Sequence, residues 1–105
     1  MIDVEFCQRA LLDIRSIQLH YLTYADAASA DAHVAAILDG LALLREFPDL
    51  GSAVDDPQGV IGVGYRRYLA SDFWVYYSHN DSMLTVWRIF HTKQEIDDFA
   101  FVDLD

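Results

Sequence analysis

A chain of 105 residues with 53% apolar side chains holds enough material for one core and too little length for two, so residues 1–105 read as a single domain. Its 17 acidic residues against 7 basic ones give a formal charge of −10, a field that repels phosphate backbones and excludes broad nucleic-acid binding, direct DNA binding by this chain alone included. The single cysteine, Cys7, excludes an internal disulfide and a cysteine-based metal site, and no run approaches the roughly 18 uninterrupted apolar residues of a membrane span.

With no basic segment followed by an apolar run at the N-terminus, the expectation is a cytoplasmic protein in a reducing compartment, without a membrane partner. Met1–Glu5 alternates Ile2, Val4 and then Phe6 against Asp3 and Glu5, which predicts a short edge strand with one buried face. From about Cys7 to Leu22 the period lengthens. Ala10, Ile14, Ile17 and Tyr21 share one helical stripe, widened by Leu11 and Leu22, while Gln8, Asp13, Arg15 and Gln18 point away.

A short loop, about Thr23–Ala28, leads to a second helix capped by Asp26 or Ser29 and running to about Phe47. Its buried stripe is Val34, Ile37, Leu38, Leu41 and Leu44, and Pro48 ends it by clashing with the preceding turn. Such a helical hairpin needs a sheet to lie on. Pro48–Gly59 reads as a polar connecting loop.

Three runs rich in Val, Ile, Tyr, Phe and Trp follow, Val60–Leu69, Phe73–Ser78 and Met83–His91, joined through Ala70-Ser71-Asp72 and His79-Asn80-Asp81-Ser82. That is the pattern of an antiparallel meander. Alternation places Ile61, Val63, Tyr65, Arg67 and Leu69 on one face of the first, with Gly62, Gly64, Arg66 and Tyr68 on the other. It sets Trp74 and Tyr76 against Phe73, Val75 and Tyr77, and Thr85, Trp87, Ile89 and His91 against Leu84, Val86, Arg88 and Phe90. Helices cover one apolar face; the other calls for a partner, a second copy or the C-terminal segment Thr92–Asp105, which starts helical around Gln94–Phe99. The expected fold is α+β, β-α-α-β-β-β, an N-terminal helical hairpin packed on a small antiparallel sheet.

Chemistry-bearing motifs are sparse. Gly62-Val63-Gly64 lacks the third glycine and the following helix of a dinucleotide fingerprint, so no cofactor is expected. Asn80-Asp81-Ser82 is a turn, and His20 and His33 lie near the helical stripes. His91 closes the last strand beside Arg88 and Lys93, where cations favour the neutral ring a general base needs, and no second ligand lies at metal-binding spacing.

Tyr65-Arg66-Arg67, the run Phe73-Trp74-Val75-Tyr76-Tyr77 and the closing Trp87-Arg88-Ile89-Phe90-His91-Thr92-Lys93-Gln94-Glu95-Ile96, set behind a strand and two helices, resemble the RelE/ParE superfamily of toxins from bacterial type II toxin-antitoxin modules. RelE-like members cleave mRNA on the ribosome with a basic surface that includes a mid-strand arginine, a position aligned here with Trp74. ParE-like members inhibit DNA gyrase by protein contact, which an acidic chain tolerates. The resemblance therefore implies a ParE-like toxin with a cognate antitoxin and DNA gyrase as partners, and with Arg66, Arg67, Arg88, His91 and Lys93 as target-binding residues. The alternatives are a ribosome-dependent mRNA endoribonuclease using His91, Arg88 and Lys93, with ribosome and mRNA as partners, and a non-toxic degenerate member acting as a binding module.

Overall fold

The computed structural model describes residues 2–54 and 64–94. In chain order they form β1 (Asp3–Phe6), α1 (Gln8–Tyr24), α2 (Ala27–Glu46), a 3-10 turn (Pro48–Leu50), β2 (Ser52–Val54), β3 (Tyr65–Ala70), β4 (Phe73–His79) and β5 (Met83–His91). The strands make one five-stranded sheet in the order β1-β5-β4-β3-β2. β1 runs parallel to β5, so the sheet is mixed at that edge, whereas every other pairing is antiparallel. The α+β architecture with its helical hairpin is the expected one.

Local chemistry explains most boundaries. Asp26 caps α2 by accepting the Ser29 N–H at 2.7 Å, and the Phe47 N–H closes its last turn on the Leu43 carbonyl before Pro48. Asn80 Oδ1 accepts the N–H groups of Ser82 and Met83, both at 2.9 Å, and so builds the β4–β5 turn from a side chain. The β3–β4 turn puts Ser71 at φ 58, a left-handed conformation that costs any residue with a Cβ.

The helices lie across one face of the sheet. Ala10, Ile37, Leu41 and Leu44 pack against Ala70, Phe73, Val75, Tyr77, Leu84, Val86 and Ile89, with Ile14, Ile17 and Tyr21 half-buried beside them. Gly40 is where α2 comes closest to β3: a Cβ there would stand 2.8 Å from the Ala70 Cβ. By length and composition α2 could cross a membrane, with a mean hydropathy of 1.4, but Ile37, Leu41 and Leu44 are spent on this core and Asp31 and Asp39 are exposed.

Four sequence expectations change. Leu11, Leu22 and Leu38 are about half exposed instead of widening the buried stripes, because the sheet covers only the central line of each helix. The stretch expected as a loop after Pro48 contains β2, whose three residues pair with β3 through Ser52↔Arg67, Ala53↔Arg66 and Val54↔Tyr65. Asp13, expected to face solvent, turns inward onto β5. The regular alternation along β5 breaks at a β-bulge: Tyr76 pairs with Arg88 but Tyr77 with Val86, so Trp87 is the extra residue and Ile89 returns to the face of Leu84 and Val86.

The opposite face carries Tyr65, Tyr76 and Phe90 at 4–6% exposure, with Val54 and Trp74 packed beside them. The Val60–Val63 part of the first expected run, Val60–Leu69, and the helical start expected around Gln94–Phe99 lie outside the described residues, Gln94 apart.

Candidate functional site

Pairing of β1 with β5 stops at Phe6↔Val86, and among the described residues the far end of the β5 edge has no strand neighbour on that side. Side chains of α1 and its cap fill the gap. Asp13 Oδ2 accepts the Ile89 N–H at 2.9 Å, and the Cys7 thiol donates to the Trp87 carbonyl at 3.0 Å. The same Asp13 carboxylate takes both prongs of the Arg88 guanidinium, Nε to Oδ2 at 2.7 Å and one terminal nitrogen to Oδ1 at 3.0 Å. Asp13 is thus a three-bond clasp joining α1 to β5, with side chains only 14% and 9% exposed at Asp13 and Arg88. The Arg88 guanidinium also lies over the Phe90 ring, 4.5 Å from its centroid.

Beyond the clasp, the chain turns at His91-Thr92-Lys93-Gln94. The Gln94 side chain accepts the His91 N–H at 2.7 Å, the Gln94 N–H reaches the His91 carbonyl at 3.0 Å, and the His91 Nδ1 accepts the Lys93 N–H at 3.0 Å. Accepting that bond means the neutral ring carries its proton on Nε2, so its one free lone pair is already engaged. His91 is therefore arranged as a donor toward solvent, and its ring stands edge-on to Phe73 at 5.3 Å.

Between α1 and this turn lies an open groove of about 790 Å³. Arg9 and His20 stand on its helical side, His91 and Lys93 on its strand side, and Tyr21 and Phe73 between them. His33 stacks on Tyr21 at 3.7 Å between ring centroids and anchors its Nδ1 at the Ser29 carbonyl, which makes it a packing residue of the hairpin.

The five residues singled out from sequence, four arginine or lysine and one histidine, do not share one surface. Arg88, His91 and Lys93 line the groove, with Arg88 held by Asp13. Arg67 is exposed on the other face of the sheet, its guanidinium 4.2 Å over the Trp74 ring. Arg66 lies at a second cleft at the β2 end, donating to the Gly51 carbonyl at 2.7 Å and standing 3.6 Å from the Asp49 carboxylate. Asp49 also meets His79 Nε2 at 2.8 Å, but its carboxylate is 78% exposed, so either pair contributes at most about 1 kcal/mol.

Nearby, the Tyr77 hydroxyl accepts the Gly51 N–H at 2.9 Å and donates to the Pro48 carbonyl at 2.6 Å. Burial pushes the Tyr77 phenol above its ordinary value of 10.0, against the opposing pull of the Gly51 bond and the Arg66 charge. Asp13 and Tyr77, which hold these two clefts together, both escaped the sequence reading. A charged residue at the margin of an apolar stripe was the only trace of the first.

A family model described as the ParE toxin of the type II toxin-antitoxin system, parDE, matches residues 4–96 of the chain. Among solved structures, one described as the chromosomal ParDE TA system from P. aeruginosa is similar with a TM-score of 0.69 at 17% identity, over 87% of this chain and 96% of that one. At that identity the likeness concerns the fold. No curated protein sequence matches the chain.

Proposed function

This chain belongs to the ParE toxin family of type II toxin-antitoxin systems, and from that premise we propose that it arrests growth by binding DNA gyrase through protein contact and is held inactive by a cognate antitoxin. The observation that carries the reading is the extent of the family match, which runs from β1 through both helices to the turn after β5. Two physical features support contact over catalysis. A charge of −10 opposes a polyanionic RNA substrate, and the His91 lone pair, committed to the Lys93 N–H, is not positioned to take a proton from a 2′-hydroxyl. Target contact then falls to groups with surface to offer, His91 and Lys93 at the groove, with Arg66 and Arg67 at the other sites. Arg88 serves by holding the groove's wall to α1.

The experiment is a gyrase supercoiling and DNA-cleavage assay with the purified chain, paired with induced expression in cells with or without a co-expressed cognate antitoxin. Expected results are loss of supercoiling with trapped DNA breaks, filamentation, and rescue by the antitoxin. Halted translation with cut mRNA, or growth unaffected at high expression, refutes the proposal.

A further inference from the structure

Among the described residues, ion pairs to carboxylates reach three groups: Arg88 through Asp13, and Arg66 and His79 through Asp49. In a chain with 17 acidic residues, that leaves a conspicuous set outside the pairing. Arg9, His20, His91 and Lys93 all line the groove between α1 and the end of β5, and among the described residues none of the four carries an ion pair. Among the described residues, the groove therefore concentrates donors that no carboxylate pairs, on a molecule that is negative overall.

Its shape is set by α1. Arg9, Asp13, Ile17 and His20 recur at four, four and three residues, one face of the helix, and the rise of ~1.5 Å per residue makes the Arg9-to-His20 wall about 16 Å long. A chain in extended conformation covers that length with about five residues at ~3.3 Å each. Cationic groups stand at both ends of the trough. Between them the half-buried Ile17 and Tyr21 offer apolar surface, backed by the buried Phe73 and Ile89.

Strand addition is not the way in at this edge. The β5 backbone past Val86 already bonds Asp13 at the Ile89 N–H and Cys7 at the Trp87 carbonyl, so a ligand here is recognised through side chains. We infer that the groove is the docking surface for an extended segment of the target protein in which acidic residues flank apolar ones. The carboxylates meet Arg9 and Lys93 with the ring N–H groups of His20 and His91, and the apolar side chains settle on Ile17 and Tyr21. This rests on the reading that the chain acts by protein contact. It adds which surface makes that contact and what chemistry it takes. The overall charge of −10 limits the encounter rate with any anion, so binding depends on these few short-range pairs and weakens steeply with salt.

The test titrates the isotope-labelled full chain with a synthetic peptide in which glutamates alternate with leucine and phenylalanine, beside a lysine-for-glutamate control and a short RNA oligonucleotide. Amide shifts are expected in α1 and residues 88–94 with the acidic peptide alone. The double variant R9E/K93E is expected to bind it at least tenfold more weakly, and to bind the lysine peptide instead. No shifts, shifts on another face, equal binding by R9E/K93E, or tighter binding of the RNA overturns the inference. With gyrase, inhibition by the parent chain and equal inhibition by R9E/K93E removes the groove from target contact while leaving the gyrase reading intact. A parent chain that takes the acidic peptide but leaves gyrase untouched refutes the gyrase reading and keeps the groove.

Discussion

Replacing Asp13 with alanine should be among the most damaging single changes in the described structure, although the position lies on a helix within reach of solvent. The substitution removes three bonds at once: both prongs to Arg88 and the acceptor for the Ile89 N–H. It leaves a guanidinium 9% exposed with its carboxylate gone and a strand-edge amide unpaired. Taking the bidentate carboxylate away from a buried charge costs up to about 3–5 kcal/mol, and an unpaired buried donor about 1–3 kcal/mol, part of which is the same desolvation counted twice. The expected loss is therefore about 3–5 kcal/mol, a large share of the total stability of a domain this size and roughly 12–30 °C in Tm. Urea unfolding followed by tryptophan fluorescence measures it. The apolar double variant D13L/R88M should recover the charge part of that loss, since removing both charges removes the desolvation cost along with the attraction, and keep only the cost of the unpaired Ile89 N–H, about 1–3 kcal/mol. A loss below about 1 kcal/mol in D13A, or a D13L/R88M variant as unstable as D13A, would refute the clasp.

Tyr77→Phe should cost about 1–3 kcal/mol by stranding the Gly51 N–H and Pro48 carbonyl, with faster hydrogen exchange at Gly51 as its local signature. Because folding raises the Tyr77 value above 10.0, the fold binds that proton more tightly than the unfolded chain; the associated stability is complete below pH 10 and drains away above it. Urea midpoints at rising alkaline pH should accordingly fall more steeply in the parent than in Y77F. Asp26→Ala should lower the midpoint at neutral pH by uncapping α2, and since the Ser29 bonds hold the Asp26 carboxyl below its usual 3.8, the gap between parent and D26A should close as pH drops below that value. Gly40→Ala gains helix propensity of about 1 kcal/mol, but the new methyl meets the Ala70 Cβ at 2.8 Å, so a net loss of about 1–2 kcal/mol is expected in the same unfolding assay. A stabilised G40A would mean that α2 can lift off β3 at little cost.

Much of this fold was written in local pattern. The α1 stripe Ala10, Ile14, Ile17, Tyr21, the Asp26 cap and the Pro48 stop each report a backbone preference that needs no distant partner, and all three recur in the structure. The features that escaped are those defined by a second segment. β2 spans three residues, too few for alternation to register, and exists because Arg66 and its neighbours offer an unpaired edge. The bulge at Trp87 follows from how β4 and β5 count residues against each other, and no single-strand period carries that information.

The same distinction separates the cations. Seven basic side chains in an acidic protein drew attention by their scarcity, and sequence treated the ones near the end of β5 as equals. Arg88 differs from Lys93 because of Asp13, 75 residues away in sequence, which converts it from a presented charge into an internal tie. His91 differs from a free imidazole because the turn that follows it donates the Lys93 N–H into its ring. Each conversion pushes the chemistry of this end of the sheet away from proton transfer and toward display: a fixed wall, an outward N–H and an ammonium group on a short turn. In a molecule whose remaining surface is dominated by carboxylates, a displayed positive site selects partners mainly by what else they bring. A rival that offers negative charge alone meets the full repulsion of the other surfaces, whereas one that adds apolar side chains for Ile17 and Tyr21 recovers burial at about 25 cal/mol per Å². Substituting Ile17 or Tyr21, which also pack against the core, would confound this with folding, so the discriminating change is on the ligand: swapping its leucines and phenylalanines for serine at constant charge should abolish binding as thoroughly as R9E/K93E does. Retained affinity for the serine version would reduce the groove to a patch of positive charge with no selectivity of its own.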